Sequence, residues 1–224
     1  MLELILASQS PRRRELIQLL GYPVRFMSAD VDESSITHPD PAMNVTATAR
    51  LKAAAIAGQI ASRFRDTGSE SRHIIIAADT TVALDGDMLG KPKDAANARR
   101  MLKALRGRTH QVHTGIVLLD VTSGEESAGV ATATVTMRNY SDTEMDAYIA
   151  SGDPLDKAGA YAIQHPVFRP VAQLDGCFTT VMGLPLCRLI QMMEAMQLPI
   201  QADYAAVGQA HQQYHCRTFD LLHQ

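Results

Sequence analysis

An α/β protein is the fold class that the sequence predicts, and three observations carry the prediction. Short apolar runs of strand character, Leu4 to Ala7 and Ile74 to Ala78, are separated by stretches with helical patterning, among them the alanine-rich segment from about Asn44 to Phe64. Thr109 to Asp120 and Ala128 to Arg138 read as two long β-strands joined through Ser123-Gly124. Neither an internal repeat nor a long linker divides the 224 residues, a length that suits one large domain or two small ones.

Composition narrows the function classes. A hydrophobic content of 46% supplies a sizeable core, and the formal net charge of −3 lacks the global positive field of a nucleic-acid binder, so any anion site must be local. Met1-Leu2-Glu3 opens no basic-then-apolar leader, and no run of 18 apolar residues follows, which leads us to expect a cytoplasmic protein with no membrane partner. Cys177, Cys187 and Cys216 are odd in number and lack CxxC spacing. They read as reduced thiols filling apolar space rather than as a disulfide scaffold or zinc knuckle.

Along the chain, Leu4–Ala7 gives a strand, Ser8-Gln9-Ser10-Pro11 a turn, and Leu16, Leu19 and Leu20 one face of a helix. Ser10 suits the N-cap and Pro11 the first helical position. Val24 to Met27 is a second strand, Pro39 and Pro41 hold a loop, and the long helix from about Asn44 carries Arg50 and Lys52. A polar loop, Arg65 to Arg72, precedes the apolar strand that ends in Asp79-Thr80-Thr81. Asp85-Gly86-Asp87 marks a hairpin, Asp94 caps a helix reaching about Leu105, and Ser141 with Glu144 forms a capping box. Asp153 to Gly176 reads as irregular, Gly183-Leu184-Pro185 opens a last helix to about Leu198, and Gln201 to Gln224 lacks periodicity.

Chemistry concentrates at a few of these positions. Arg12, Arg13 and Arg14 occupy a first helical turn, where cations oppose the helix dipole. With free backbone N–H groups and the hydroxyls of Ser8 and Ser10, they suit a phosphate chain, the plainer reading being solvated surface charge. No glycine-rich phosphate fingerprint occurs. Asp79 leaves a buried run and needs a partner: backbone N–H groups, Lys52 or Lys91, or a divalent metal. Asp32 and Glu33 also follow a strand and could join Asp79 as hard oxygen ligands. His110 and His113, three apart in a strand, point to opposite faces, which argues against their sharing one metal. His211, His215 and Cys216 are expected in a solvated, weakly ordered tail.

With these residues in hand, the chain resembles the Maf family of nucleoside triphosphate pyrophosphatases. The matching stretches include Leu6-Ala7-Ser8-Gln9-Ser10-Pro11-Arg12-Arg13, Val31-Asp32-Glu33, Ala49-Arg50-Leu51-Lys52-Ala53, Ala77-Ala78-Asp79-Thr80, Leu89-Gly90-Lys91-Pro92, Gly107 to Gly115, Asp156 to Gln164 and Gly183-Leu184-Pro185-Leu186. The resemblance implies a mixed, twisted β-sheet flanked by helices, with two lobes around a deep cleft, often as a homodimer. It implies one catalytic domain over residues 1–200 and an extension at 201–224. It further implies cleavage between the α and β phosphates of a nucleotide with Mg²⁺ or Mn²⁺. Asp79 would then be the proton acceptor, Glu33 and Asp79 the metal ligands, and Arg13, Lys52 and Lys91 the phosphate grip. Arg12, Thr80 and Gln164 fit a dTTP/UTP branch of the family better than a 7-methyl-GTP branch. A third possibility is a nucleotide-binding regulator of cell division that does not hydrolyse. The chain departs from the family pattern at His165-Pro166-Val167-Phe168-Arg169-Pro170 and in its longer tail.

Overall fold

Residues with strand propensity assemble into one mixed sheet in the computed structural model, which describes residues 2–65, 72–212 and 214–222. In chain order the strands are β1 (Leu2–Ala7), β2 (Val24–Met27), β3 (Arg72–Leu84), β4 (Asp87–Leu89), β5 (Thr109–Asp120), β6 (Glu126–Met137) and β7 (Val171–Asp175). The order across the sheet is β2-β1-β3-β5-β6-β7, with β4 hairpinned onto the far end of β3. β1 runs parallel to β2 and β3, and the β3-β5-β6-β7 pairings are antiparallel. The helices are α1 (Pro11–Gln18), α2 (Pro41–Arg65), α3 (Ala95–Leu105), α4 (Asp142–Ala150), α5 (Phe178–Met182), α6 (Leu186–Ala195), α7 (Tyr204–Gln209) and α8 (Arg217–Leu221). The polar loop expected between Arg65 and Arg72 lies outside the described residues at 66–71.

The continuous apolar runs behave as strands covered on both sides. Leu4, Leu6, Ile74 and Ile76 pack with Leu16 and Ile17 of α1 and with α6, while their neighbours Ile5, Ala7, Ile75 and Ala77 pack under Ala49, Ala53, Ile56 and Ile60 of α2. A third core gathers the other end of β3 with α3, α4, Tyr140, Tyr148, Phe168 and Phe178.

Several boundaries differ from the sequence expectation for physical reasons. β3 does not stop at Asp79 but runs on to Leu84, so the apolar run and the first arm of the hairpin are one strand. α2 begins at Pro41 rather than near Asn44, because proline costs nothing at a first helical position and Asp40 accepts the N–H groups of Ala42 and Met43. The stretch taken as irregular contains β7, a five-residue edge strand on β6. The tail expected to be solvated holds α7 and α8, with Val207 fully buried against the α1–α6 core.

Candidate functional site

Where β1 ends at Ala7, β3 loses its neighbour on that side: the last paired residues are Leu6 and Ile76. Asp79 and Thr80 therefore edge an open cleft of about 810 Å³. The cleft is lined by ten of the residues singled out from the sequence, Ser8, Ser10, Arg12, Arg13, Glu33, Lys52, Asp79, Thr80, Lys91 and Gln164, but not by Arg14 or Asp32.

Lys52 lies seven residues after Val45 on the buried stripe of α2, so its ammonium enters beneath the sheet edge. It reaches Asp79 Oδ1 at 2.7 Å and Glu33 Oε1 at 3.0 Å, drawing the two carboxylates to one point. The approach is possible because Gly115, the cross-strand partner of Asp79, has no side chain: a Cβ there would lie 2.7 Å from the backbone of Val45 and Thr46. Asp32 does not join the pair. Its carboxylate accepts the N–H and hydroxyl of Ser34, capping the short 3-10 turn that carries Glu33.

Arg13 is fixed rather than solvated. Its Nε donates to the Gly183 carbonyl at 2.7 Å and its Nη2 to Thr80 Oγ1 at 3.0 Å, with Nη1 at 3.4 Å from Ser8 Oγ. Burial lowers its pKa, and the Asp79 carboxylate works in the opposite direction. Thr114 donates to the Thr180 carbonyl at 2.8 Å and so accepts from Thr80 at 3.0 Å, which leaves Thr80 to accept from Arg13. Arg12 turns to Asp156 at 3.2 Å. Ser10 takes the N-cap position, but its hydroxyl makes no cap bond, and its N–H instead donates to Ser8 Oγ at 3.2 Å. Lys91 is exposed at the rim with no ion pair among the described residues.

Sequence reading gave no role to Asp156 and Lys157, which also line the cleft. Lys157 is buried, its Nζ donating to Asp156 Oδ1 at 2.6 Å and to Asp153 Oδ1 at 2.9 Å. Adjacent acid and base residues look like surface charge, and only the burial of Lys157 sets this pair apart. Five cations thus face three carboxylates across the cleft. The unusual loop after Gln164 turns its bulk away: Phe168 stacks on Tyr148 at 4.3 Å in the third core, and residues 165–170 do not line the cleft. His110 is buried and hydrogen-bonds the Tyr161 hydroxyl at 2.8 Å, and burial pulls its pKa down to about 4. His113 instead contacts Thr132 Oγ1 at 3.0 Å.

Sheet and cleft together define an α/β protein with a cation-lined pocket where its parallel strands end. The chain belongs to the Maf-like protein family, whose model matches residues 3–196. A dTTP/UTP pyrophosphatase of Pelotomaculum thermopropionicum is 40% identical over 194 residues, covering 87% of this chain and 96% of that protein. A dTTP/UTP pyrophosphatase of Geotalea uraniireducens is 41% identical over 197 residues, covering 86% and 94%. No helix among the described residues is long and apolar enough to cross a membrane.

Proposed function

We propose that this chain is a nucleoside triphosphate pyrophosphatase that hydrolyses dTTP, UTP or related pyrimidine nucleotides between the α and β phosphates. The observation that carries the reading is the convergence of Glu33 and Asp79 on Lys52, at 3.0 and 2.7 Å, inside a cleft whose other charges are mostly cationic. The relatives named above support the substrate class.

A triphosphate carries about four negative charges, which repel an incoming hydroxide until cations offset them. Arg13 supplies a guanidinium already locked in place by Gly183 and Thr80, so little side-chain freedom is lost when it meets a phosphate. Arg12, paired with Asp156, and the exposed Lys91 add positive charge at the mouth. Asp79, held by Lys52, accepts the proton of an attacking water in this reading. Two carboxylates brought to one point by a cationic partner also fit a divalent ion, with Glu33 and Asp79 as the hard oxygen ligands for Mg²⁺ or Mn²⁺. Such an ion would supply charge neutralisation and acidify bound water. Gln164, half-buried in the cleft wall, offers an amide donor and acceptor that match the imide edge of uracil or thymine.

The test is pyrophosphate release from a panel of nucleoside triphosphates with Mg²⁺ or Mn²⁺. Turnover of dTTP and UTP should fall by roughly 10²–10⁴ in Asp79→Asn, the range of a lost general base. Pyrophosphate from none of the panel, or full activity in Asp79→Asn, overturns the assignment.

A further inference from the structure

Away from the cleft, four side chains meet that the sequence left apart as fillers and tail. Cys177 precedes α5, Cys187 lies in the first turn of α6, His211 follows α7, and Cys216 precedes α8. Their exposures are 8%, 0%, 3% and 5%, and their ligand atoms lie within 4.8 Å of one another. Cys177 Sγ is 3.2 Å and Cys187 Sγ 3.3 Å from His211 Nε2, and Cys187 and Cys216 are 3.9 Å apart, sulfur to sulfur. A tetrahedral zinc with bonds of about 2.3 Å to sulfur and 2.0–2.1 Å to nitrogen sets ligand edges near 3.8 Å for S···S and 3.6 Å for S···N. The four groups are already spaced close to those edges.

The surroundings are arranged for a metal as well. His211 Nδ1 lies 2.8 Å from the Val207 carbonyl, which can only accept, so this nitrogen carries the hydrogen and Nε2 turns its lone pair to the sulfurs. Thr179 Oγ1 accepts the Leu186 N–H at 3.0 Å and lies 3.0 Å from Cys177 Sγ, within reach to donate its own hydrogen to a thiolate there. A hydroxyl donor of this kind stabilises a thiolate. His215, by contrast, is exposed and pairs with Asp220 at 2.8 Å.

We propose that Cys177, Cys187, His211 and Cys216 form a structural Zn²⁺ site that fastens the C-terminal extension to the catalytic domain. Three thiols and one imidazole are a soft donor set that selects zinc over Mg²⁺ or Mn²⁺, and four protein ligands leave no open position for catalysis. Loading releases the three thiol protons and leaves the site with a net charge of −1. Two ligands, Cys177 and Cys187, lie within the family match, which ends at residue 196, and two lie beyond it. The metal would therefore join the segment bearing Gly183, whose carbonyl holds Arg13, to the extension.

The full-length chain, purified without added metal and dialysed against Mg²⁺, should retain about one zinc per chain. That zinc should be released as a mercurial titrates the thiols. The chain refolded with Co²⁺ should show a thiolate-to-cobalt charge-transfer band and tetrahedral d–d bands. Both signatures should be lost in Cys216→Ser and His211→Ala and kept in His215→Ala. Zinc far below one per chain even after refolding in excess Zn²⁺, or octahedral cobalt spectra, overturns the proposal, as does a Cys187–Cys216 disulfide in the purified chain. Because these readouts on the unmutated chain need no catalysis, they stand whether or not the pyrophosphatase assignment does.

Discussion

Tyr161 lines the nucleotide cleft, and its hydroxyl leans on His110, an imidazole whose Nδ1 has no hydrogen-bond partner among the described residues. Burial is what keeps this ring neutral, with a pKa near 4 against 6.5 in the unfolded chain. Between those values the unfolded chain binds a proton that the folded chain refuses. Stability is therefore intact above pH 6.5 and falls as the pH drops towards 4, by up to about 3 kcal/mol from this one group. Urea midpoints measured from pH 7 to 4 should show the decline. His110→Asn, which cannot take up the proton, should flatten it. At this scale the carboxylates, lysines and arginines that line the cleft were marked in the sequence by their residue types together with the motifs of the family resemblance. Lys157 was not, because a lysine beside an acid looks the same in sequence whether it is solvated or, as here, buried.

Among the elements, α2 brings Lys52 into the cleft, and its seat on the sheet depends on Gly115. A methyl group there would meet backbone atoms of Val45 and Thr46 at 2.7 Å, and backbone cannot rotate aside as a side chain can. Gly115→Ala should lower stability by about 1–3 kcal/mol, the usual cost of overpacking. It should also reduce kcat, because a helix lifted off the sheet draws Lys52 away from Asp79 and Glu33. Thermal melting and kcat measured on the same preparation check both effects. Elements with strong local chemistry could be read from the sequence. Asp85 and Gly86 turn the β3–β4 hairpin with φ of 54° and 91°, and Ser141 with Glu144 makes the expected capping box. β7 could not, because five residues between Pro170 and Gly176 take their strand identity from pairing with β6 rather than from any periodicity of their own.

Across the whole molecule, the extension expected to be weakly ordered packs on the core through α7 and α8. α7 places only Val207 in the core, and a single buried residue sets no period. The four zinc-type ligands come from as many segments, so no short motif betrays them. With zinc removed from both, a chain ending at Ile200 compared with the 224-residue chain should lose Val207 and the packing of Phe219 and Leu222, costing about 3 kcal/mol. Melting should fall by roughly 6–12 °C for a protein of this size. The cleft residues end at Gly183, so KM for nucleotide should stay within about twofold. Four elements also meet in the hydrogen bonds from Arg13 in α1 through Thr80 in β3 and Thr114 in β5 to the carbonyl of Thr180 in α5. Such a series begins on a group that only gives hydrogens and finishes on one that only takes them, so every hydroxyl along it has a single orientation. The wall beside the phosphates thereby contains nothing that ionises in the neutral range, and its alignment stays the same while acids and bases elsewhere in the cleft exchange protons.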